Sequence, residues 1–134
     1  MSHKLNVLIV EDSLIVAERI KEMLNELNEV SRIDEAIDSK EAMSMFDVEV
    51  PDVVLLDIDL PGKSGIEILR EIKQKYFSTC VIMLTNHTER YIRELCQESG
   101  ADYFFDKSTE FEKVSGALSL LSSEKGYGMR RRGH

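Results

Sequence analysis

Three short runs of branched apolar residues, Leu5 to Val10, Val53 to Leu56 and Val81 to Leu84, constrain this chain more than any other feature. Runs of this length without polar alternation fit strands covered on both faces. Weaker strand patterns lie at Arg32 to Ile37 and Tyr103 to Phe105. Helical patterns fill the intervals. Val16, Ile20, Met23 and Leu27 recur at steps of four, three and four, which places them on one helix face. Ser64 with Glu67, and Thr109 with Glu112, have the spacing of capping boxes and predict the starts of a third and a fifth helix. Leu118 and Leu121 extend the apolar stripe of the fifth, and helices over about residues 38–47 and 87–99 complete five β-α units. This alternation predicts an α/β fold with a five-stranded parallel sheet, and right-handed crossovers make it doubly wound, (βα)5.

A chain of 134 residues, 43% hydrophobic and 31% charged, has room for one sizeable core, so a single domain is expected over residues 4–122. Beyond Ser122 the apolar periodicity ends and three consecutive arginines follow, which predicts a flexible basic tail over residues 123–134. Seventeen Lys and Arg against twenty-five Asp and Glu leave a formal charge of −8. That sign argues against direct nucleic-acid binding by this domain. No apolar run approaches the roughly 18 residues of a membrane span, and the run after Lys4 is too short for a signal-peptide core, so a cytoplasmic protein with no membrane partner is expected. Cys80 and Cys96 lack any CxxC or Cys/His spacing and are expected to be buried thiols.

In an open parallel sheet ligands bind outside the carboxyl ends of the strands. The polar residues at those ends are Glu11 and Asp12, Asp57 with Asp59 two residues on, Thr85, and Asp106 with Lys107. Each alone is an ordinary loop residue. Together they place several acids, a hydroxyl and an ammonium in one crevice. Clustered carboxylates repel unless a cation neutralises them, and oxygen-only ligands suit a hard divalent ion such as Mg²⁺ rather than zinc. Lys107 and Thr85 would then face a bound phosphoryl group.

At these positions the chain resembles the receiver domains of bacterial two-component response regulators. Glu11 and Asp12 match the family's acidic pair, Asp57 within Val54-Leu55-Leu56-Asp57-Ile58-Asp59-Leu60-Pro61-Gly62 its phospho-acceptor, Thr85 its switch hydroxyl, and Lys107 its lysine; Gly65 opens the third helix. The resemblance implies a flavodoxin-like strand order 2-1-3-4-5. It implies that a sensor histidine kinase or a histidine phosphotransfer protein phosphorylates Asp57 in a reaction dependent on Mg²⁺ or Mn²⁺. Asp12 would ligate the metal directly, Glu11 mostly through water, Asp57 through a carboxylate oxygen and Asp59 through its backbone carbonyl. Phe104 falls at the aromatic switch position, and Asp59 and His87 at positions that tune phosphoryl lifetime. An output protein or domain would dock on the face formed by the fourth helix, fifth strand and fifth helix, and a homodimer is a further implied partner. Such a module is a signalling protein that catalyses only its own phosphotransfer and dephosphorylation.

Two departures stand out: Ser108 follows Lys107 where the family carries proline, and Phe104 has no hydroxyl. Two other readings exist. A haloacid-dehalogenase-like phosphatase would use Asp57 and Asp59 as nucleophile and acid, but needs a longer chain with a cap and leaves Glu11 and Asp12 unexplained. A nucleotidyl-transfer site of topoisomerase-primase type also pairs a glutamate with DxD, but the negative charge and the placing of Thr85 and Lys107 oppose it.

Overall fold

The three branched runs form the middle of the sheet. In the computed structural model, which describes residues 4–126, β1 (Leu5–Val10), β3 (Val53–Leu56) and β4 (Cys80–Thr85) lie side by side. β2 (Val30–Ala36) and β5 (Tyr103–Asp106) form the two edges. All strands are parallel and their order is β2-β1-β3-β4-β5. The edge strands are only partly buried, which explains why their sequence signal is weaker.

Alternate residues of the central strands divide two cores. Leu5, Val7, Ile9, Leu55, Ile82 and Leu84 pack against α1 (Leu14–Asn25) and α5 (Lys113–Gly126) through Ile20, Leu24, Val114 and Leu118. Leu8, Val10, Val54, Leu56, Val81 and Met83 pack on the other face. That face is covered by α2 (Ser39–Val48), α3 (Gly65–Lys75) and α4 (Arg90–Glu98). The stripe expected on α1 is present: Ile20 is buried, and Val16, Met23 and Leu27 pack against the first core. Both thiols are buried, Cys80 in the first core and Cys96 in the second, with no disulfide between them.

The helix starts show which local signals hold. Ser64 and Glu67 form the expected reciprocal capping box on α3. Asp38 caps α2 by accepting from the Glu41 amide at 2.9 Å, while Glu41 accepts from Ile37. The expected box at Thr109 and Glu112 is not formed. α5 starts at Lys113, and the Thr109 amide instead donates to Asp106, whose carboxylate also takes the Ser108 amide at 2.8 Å. The acid at the strand end thus takes the amide that the Glu112 side chain would have accepted. α4 likewise begins at Arg90 rather than near residue 87, because the His87 amide is taken by the Thr85 hydroxyl and stays in the loop. α5 continues to Gly126, past the expected boundary at 122; the rest of the expected tail, residues 127–134, lies outside the described residues.

One glycine fixes how closely α3 approaches the end of β3. A Cβ on Gly65 would stand 1.9 Å from the Asp57 carbonyl oxygen and 2.8 Å from the Ile58 Cα, both rigid backbone atoms. Only glycine lets the helix start there. Gly116, in mid-α5, has open space around the same position. Gly65→Ala should therefore cost about 3 kcal/mol in urea unfolding through overpacking. Gly116→Ala should be neutral or stabilising by up to about 1 kcal/mol. Equal effects of the two changes would contradict the close approach.

Candidate functional site

The register of the central strands sets the site. Val10 is paired with Leu56, so the next residues, Glu11 and Asp57, emerge level with one another from adjacent strands. The Asp57 amide still donates to the Val10 carbonyl at 3.3 Å, and the Glu11 amide to Ala36 at 3.0 Å. Both backbones are thus held by the sheet while their side chains turn into the crevice. Glu11 is 5% exposed and Asp57 7%.

Two carboxylates so deeply buried require a counter-charge. Lys107 supplies it from the end of β5: its Nζ donates to Glu11 Oε1 and to Asp57 Oδ2, each at 2.9 Å. Burial acts to lower the Lys107 pKa, but the hydrogen bonds and charges of Asp57 and Glu11 outweigh it, so the pKa is raised above the ordinary lysine value. Lys107 stays an ammonium. The remaining carboxylate oxygens take backbone amides, Asp57 Oδ1 that of Ile58 at 2.7 Å and Glu11 Oε2 that of Ser13 at 3.1 Å. One net negative charge is left on the trio, which favours a further cation.

Thr85, fully buried at the end of β4, accepts the His87 amide at 3.1 Å through its hydroxyl oxygen. The Lys107 amide donates to the Thr85 carbonyl at 2.9 Å, tying the ends of β4 and β5 together. Asp12 occupies the outer side of the acidic pair. It is exposed, while Glu11 faces Asp57 across the lysine, because Glu11 turns into the crevice and Asp12 is the next residue along, just before the α1 cap Ser13. Asp59, also exposed, reaches His87, whose Nε2 lies 2.6 Å from Asp59 Oδ2. Sequence reasoning placed both residues near the site without joining them, since they belong to different loops. Phe104 is half-buried against the second core, with the Arg93 guanidinium 4.5 Å from its ring centroid.

A divalent ion is testable against this donor set. Among the described residues no three His, Cys, Asp or Glu side chains converge as a ready-made cage. Mg²⁺ does not need one, since it takes one or two carboxylates and keeps waters. The oxygen-only pair Glu11 and Asp57, with Asp12 at the rim, fits that habit. Among the described residues no helix is long and apolar enough to cross a membrane.

A family model described as the response regulator receiver domain matches residues 7–119. The chain belongs to that family. It is 29% identical over 123 residues to the response regulator UvrY of Escherichia coli K12, covering 92% of this chain and 56% of UvrY. The receiver chain thus spans little more than half the length of that relative. Among solved structures, a LuxR-family two-component response regulator from Aurantimonas sp. SI85-9A1 superposes with a TM-score of 0.82 at 25% identity, covering 97% of this chain and 90% of that one. The Mn²⁺-bound response regulator Rcp1 shares the fold, with a TM-score of 0.75 at 23% identity, 92% of this chain and 94% of that one. Receiver domains are signalling modules of two-component systems that work with histidine kinases and output domains and generally bind Mg²⁺ or Mn²⁺.

The contact between His87 and Asp59 has a titration consequence. The Asp59 hydrogen bond raises the His87 pKa above the ordinary imidazole value, against a smaller lowering by burial. The favourable contribution of the pair is therefore fully present below about pH 6.5 and is lost as pH rises through the raised folded value. It is small, because both side chains are largely exposed. An NMR titration of the His87 imidazole should show the raised pKa in the parent and a lower one in Asp59→Asn. An unchanged value in the variant would contradict the pairing.

Proposed function

We propose that this receiver domain accepts a phosphoryl group on Asp57 from a phosphohistidine of a sensor histidine kinase or a histidine phosphotransfer protein. The observation that carries this reading is the pair of buried carboxylates, Glu11 and Asp57, held level at adjacent strand ends on one ammonium. A carboxylate oxygen of Asp57 forms the bond to phosphorus as the phosphorus–nitrogen bond of the donor breaks. The imidazole leaves with its electron pair and takes up a proton from solvent. Lys107 stays charged beside Asp57 and faces the transferred oxygens, and Thr85 at the end of β4 donates its hydroxyl proton to them. Catalysis is positioning and charge, with no group of the domain other than Asp57 forming a covalent bond.

Glu11, Asp12 and Asp57, with the Asp59 carbonyl, would hold Mg²⁺ or Mn²⁺. Bound there, the ion supplies the additional positive charge that an approaching phosphoryl dianion requires. Asp59 and His87, joined across the mouth of the crevice, would tune how long the phosphoryl group persists. The signal would leave through the face of α4, β5 and α5. A groove of about 670 Å³ borders the α4 and β5 part of that face, between α4, β5 and the end of α3, lined by Lys73, Phe77, Arg93, Gln97, Tyr103 and Phe104 among others. An output protein or domain, or a second copy of the chain, is the expected occupant, and the setting is cytoplasmic. With a net charge of −8, direct nucleic-acid binding is not expected of this domain.

Incubation with acetyl phosphate should add one phosphoryl mass when Mg²⁺ or Mn²⁺ is present and none when EDTA is present. Asp57→Asn should abolish the added mass, and label persisting on that variant would place the acceptor elsewhere. Mg²⁺ should also raise the melting temperature, since an ion bound to the folded state alone adds RT ln(1 + [Mg²⁺]/Kd). Asp12→Ala should lose most of that rise, and a parent melting temperature insensitive to Mg²⁺ would contradict the metal reading.

A further inference from the structure

The segment carrying Lys107 is ordered by polar contacts around Ser108. The Ser108 amide donates to Asp106 Oδ1 at 2.8 Å, and its hydroxyl donates to Asn86 Oδ1 at 3.0 Å, across 22 residues of chain. A proline at this position could make neither bond. Asn86 directly follows Thr85, as Ser108 directly follows Lys107. Together with the amide of Lys107 on the Thr85 carbonyl at 2.9 Å, two successive hydrogen bonds join residues 107–108 to residues 85–86. The opposite side of the turn is closed by Asp106 and Glu110, with the Asp106 amide on Glu110 Oε1 at 2.9 Å and the Glu110 amide on the Asp106 carbonyl at 2.8 Å. The Lys107 segment is thus held on one side by its own turn and on the other by the loop after β4.

We infer that Ser108 and Asn86 are positioning residues for phosphotransfer: their hydrogen bond makes the loop of Lys107 and the loop of Thr85 move as one unit. This rests on the reading that Lys107 and Thr85 both face the phosphoryl group. The physical argument is geometric. Lys107 reaches Glu11 and Asp57 on a long flexible stem, so the place of its ammonium depends on where residue 107 is anchored. The turn at Asp106 and Glu110 orders the segment locally, and the Lys107 amide gives it one bond to the loop after β4; the Ser108 hydroxyl adds the second, which fixes the segment's direction relative to Thr85. Both Ser108 and Asn86 are exposed, so their bond adds little to folding, and variants that lose it should fold. What they lose is the shared motion of two groups that must meet the same oxygens, where small misplacements are costly to rate.

The test compares parent, Ser108→Ala, Asn86→Ala, the double variant and Ser108→Thr in uptake of phosphate from acetyl phosphate with Mg²⁺, beside their melting temperatures. Each single alanine variant should slow uptake by about 2- to 10-fold. The double variant should be no slower than the worse single one, and Ser108→Thr, which keeps the hydroxyl, should restore most of the parent rate, with melting temperatures nearly unchanged. Amide shifts without ligand should show Ser108→Ala perturbing Thr85 and Asn86→Ala perturbing Lys107. Parent-like uptake in both single variants, losses that multiply in the double variant, or shifts confined to the mutated loop would each overturn this inference alone. A parent that takes up no phosphate would overturn the phospho-acceptor reading along with it.

Discussion

The structure depends on one ammonium placed between two buried carboxylates. Lys107 reaches Glu11 and Asp57 from the far edge of the sheet, and in its absence the two acids would face one another in a poorly solvated crevice. Breaking a buried ion pair by removing one partner commonly costs about 3–5 kcal/mol, because the remaining charge is left uncompensated. The trio is therefore a constraint on the fold as well as a chemical site. It requires the ends of β1, β3 and β5 to be correctly aligned at once.

The sheet meets that requirement through register. Side chains alternate between the two cores along β1 and β3, and the pairing of Val10 with Leu56 brings Glu11 level with Asp57. A slip of one residue would exchange the two core faces along a whole strand, so the packing of Ile9 and Leu55 on one side and Val10 and Leu56 on the other protects the site's geometry. Gly65 completes the frame by letting α3 begin against the Asp57 carbonyl. Thr85 and Lys107 are joined through the pairing of β4 with β5 and through the amide of Lys107.

Much of this was readable in the chain because the strongest signals are also the most buried elements. Val53 to Leu56 and Val81 to Leu84 are continuous apolar runs since both of their faces are covered, and the polar residue that ends each run marks a strand end. The capping box at Ser64 holds because its two partners lie within one turn. The box expected at Thr109 fails because Asp106, placed at the end of β5, takes the Thr109 amide that the Glu112 side chain would have accepted. The inward turn of Glu11 and outward place of Asp12 could not be read from adjacent residues of like charge. Contacts such as His87 with Asp59 and Arg93 with Phe104 join separate segments, and no periodicity announces them.

If Lys107 is the resident counter-charge of Glu11 and Asp57, it competes with any divalent ion for the same carboxylates. The most direct measurement is the Mg²⁺ dissociation constant of the parent and of Lys107→Met, obtained by titration under identical ionic strength. With the ammonium gone, the two acids lose their only side-chain cation within hydrogen-bond distance among the described residues, and the account predicts tighter Mg²⁺ binding in the variant. Unchanged or weaker binding would contradict it.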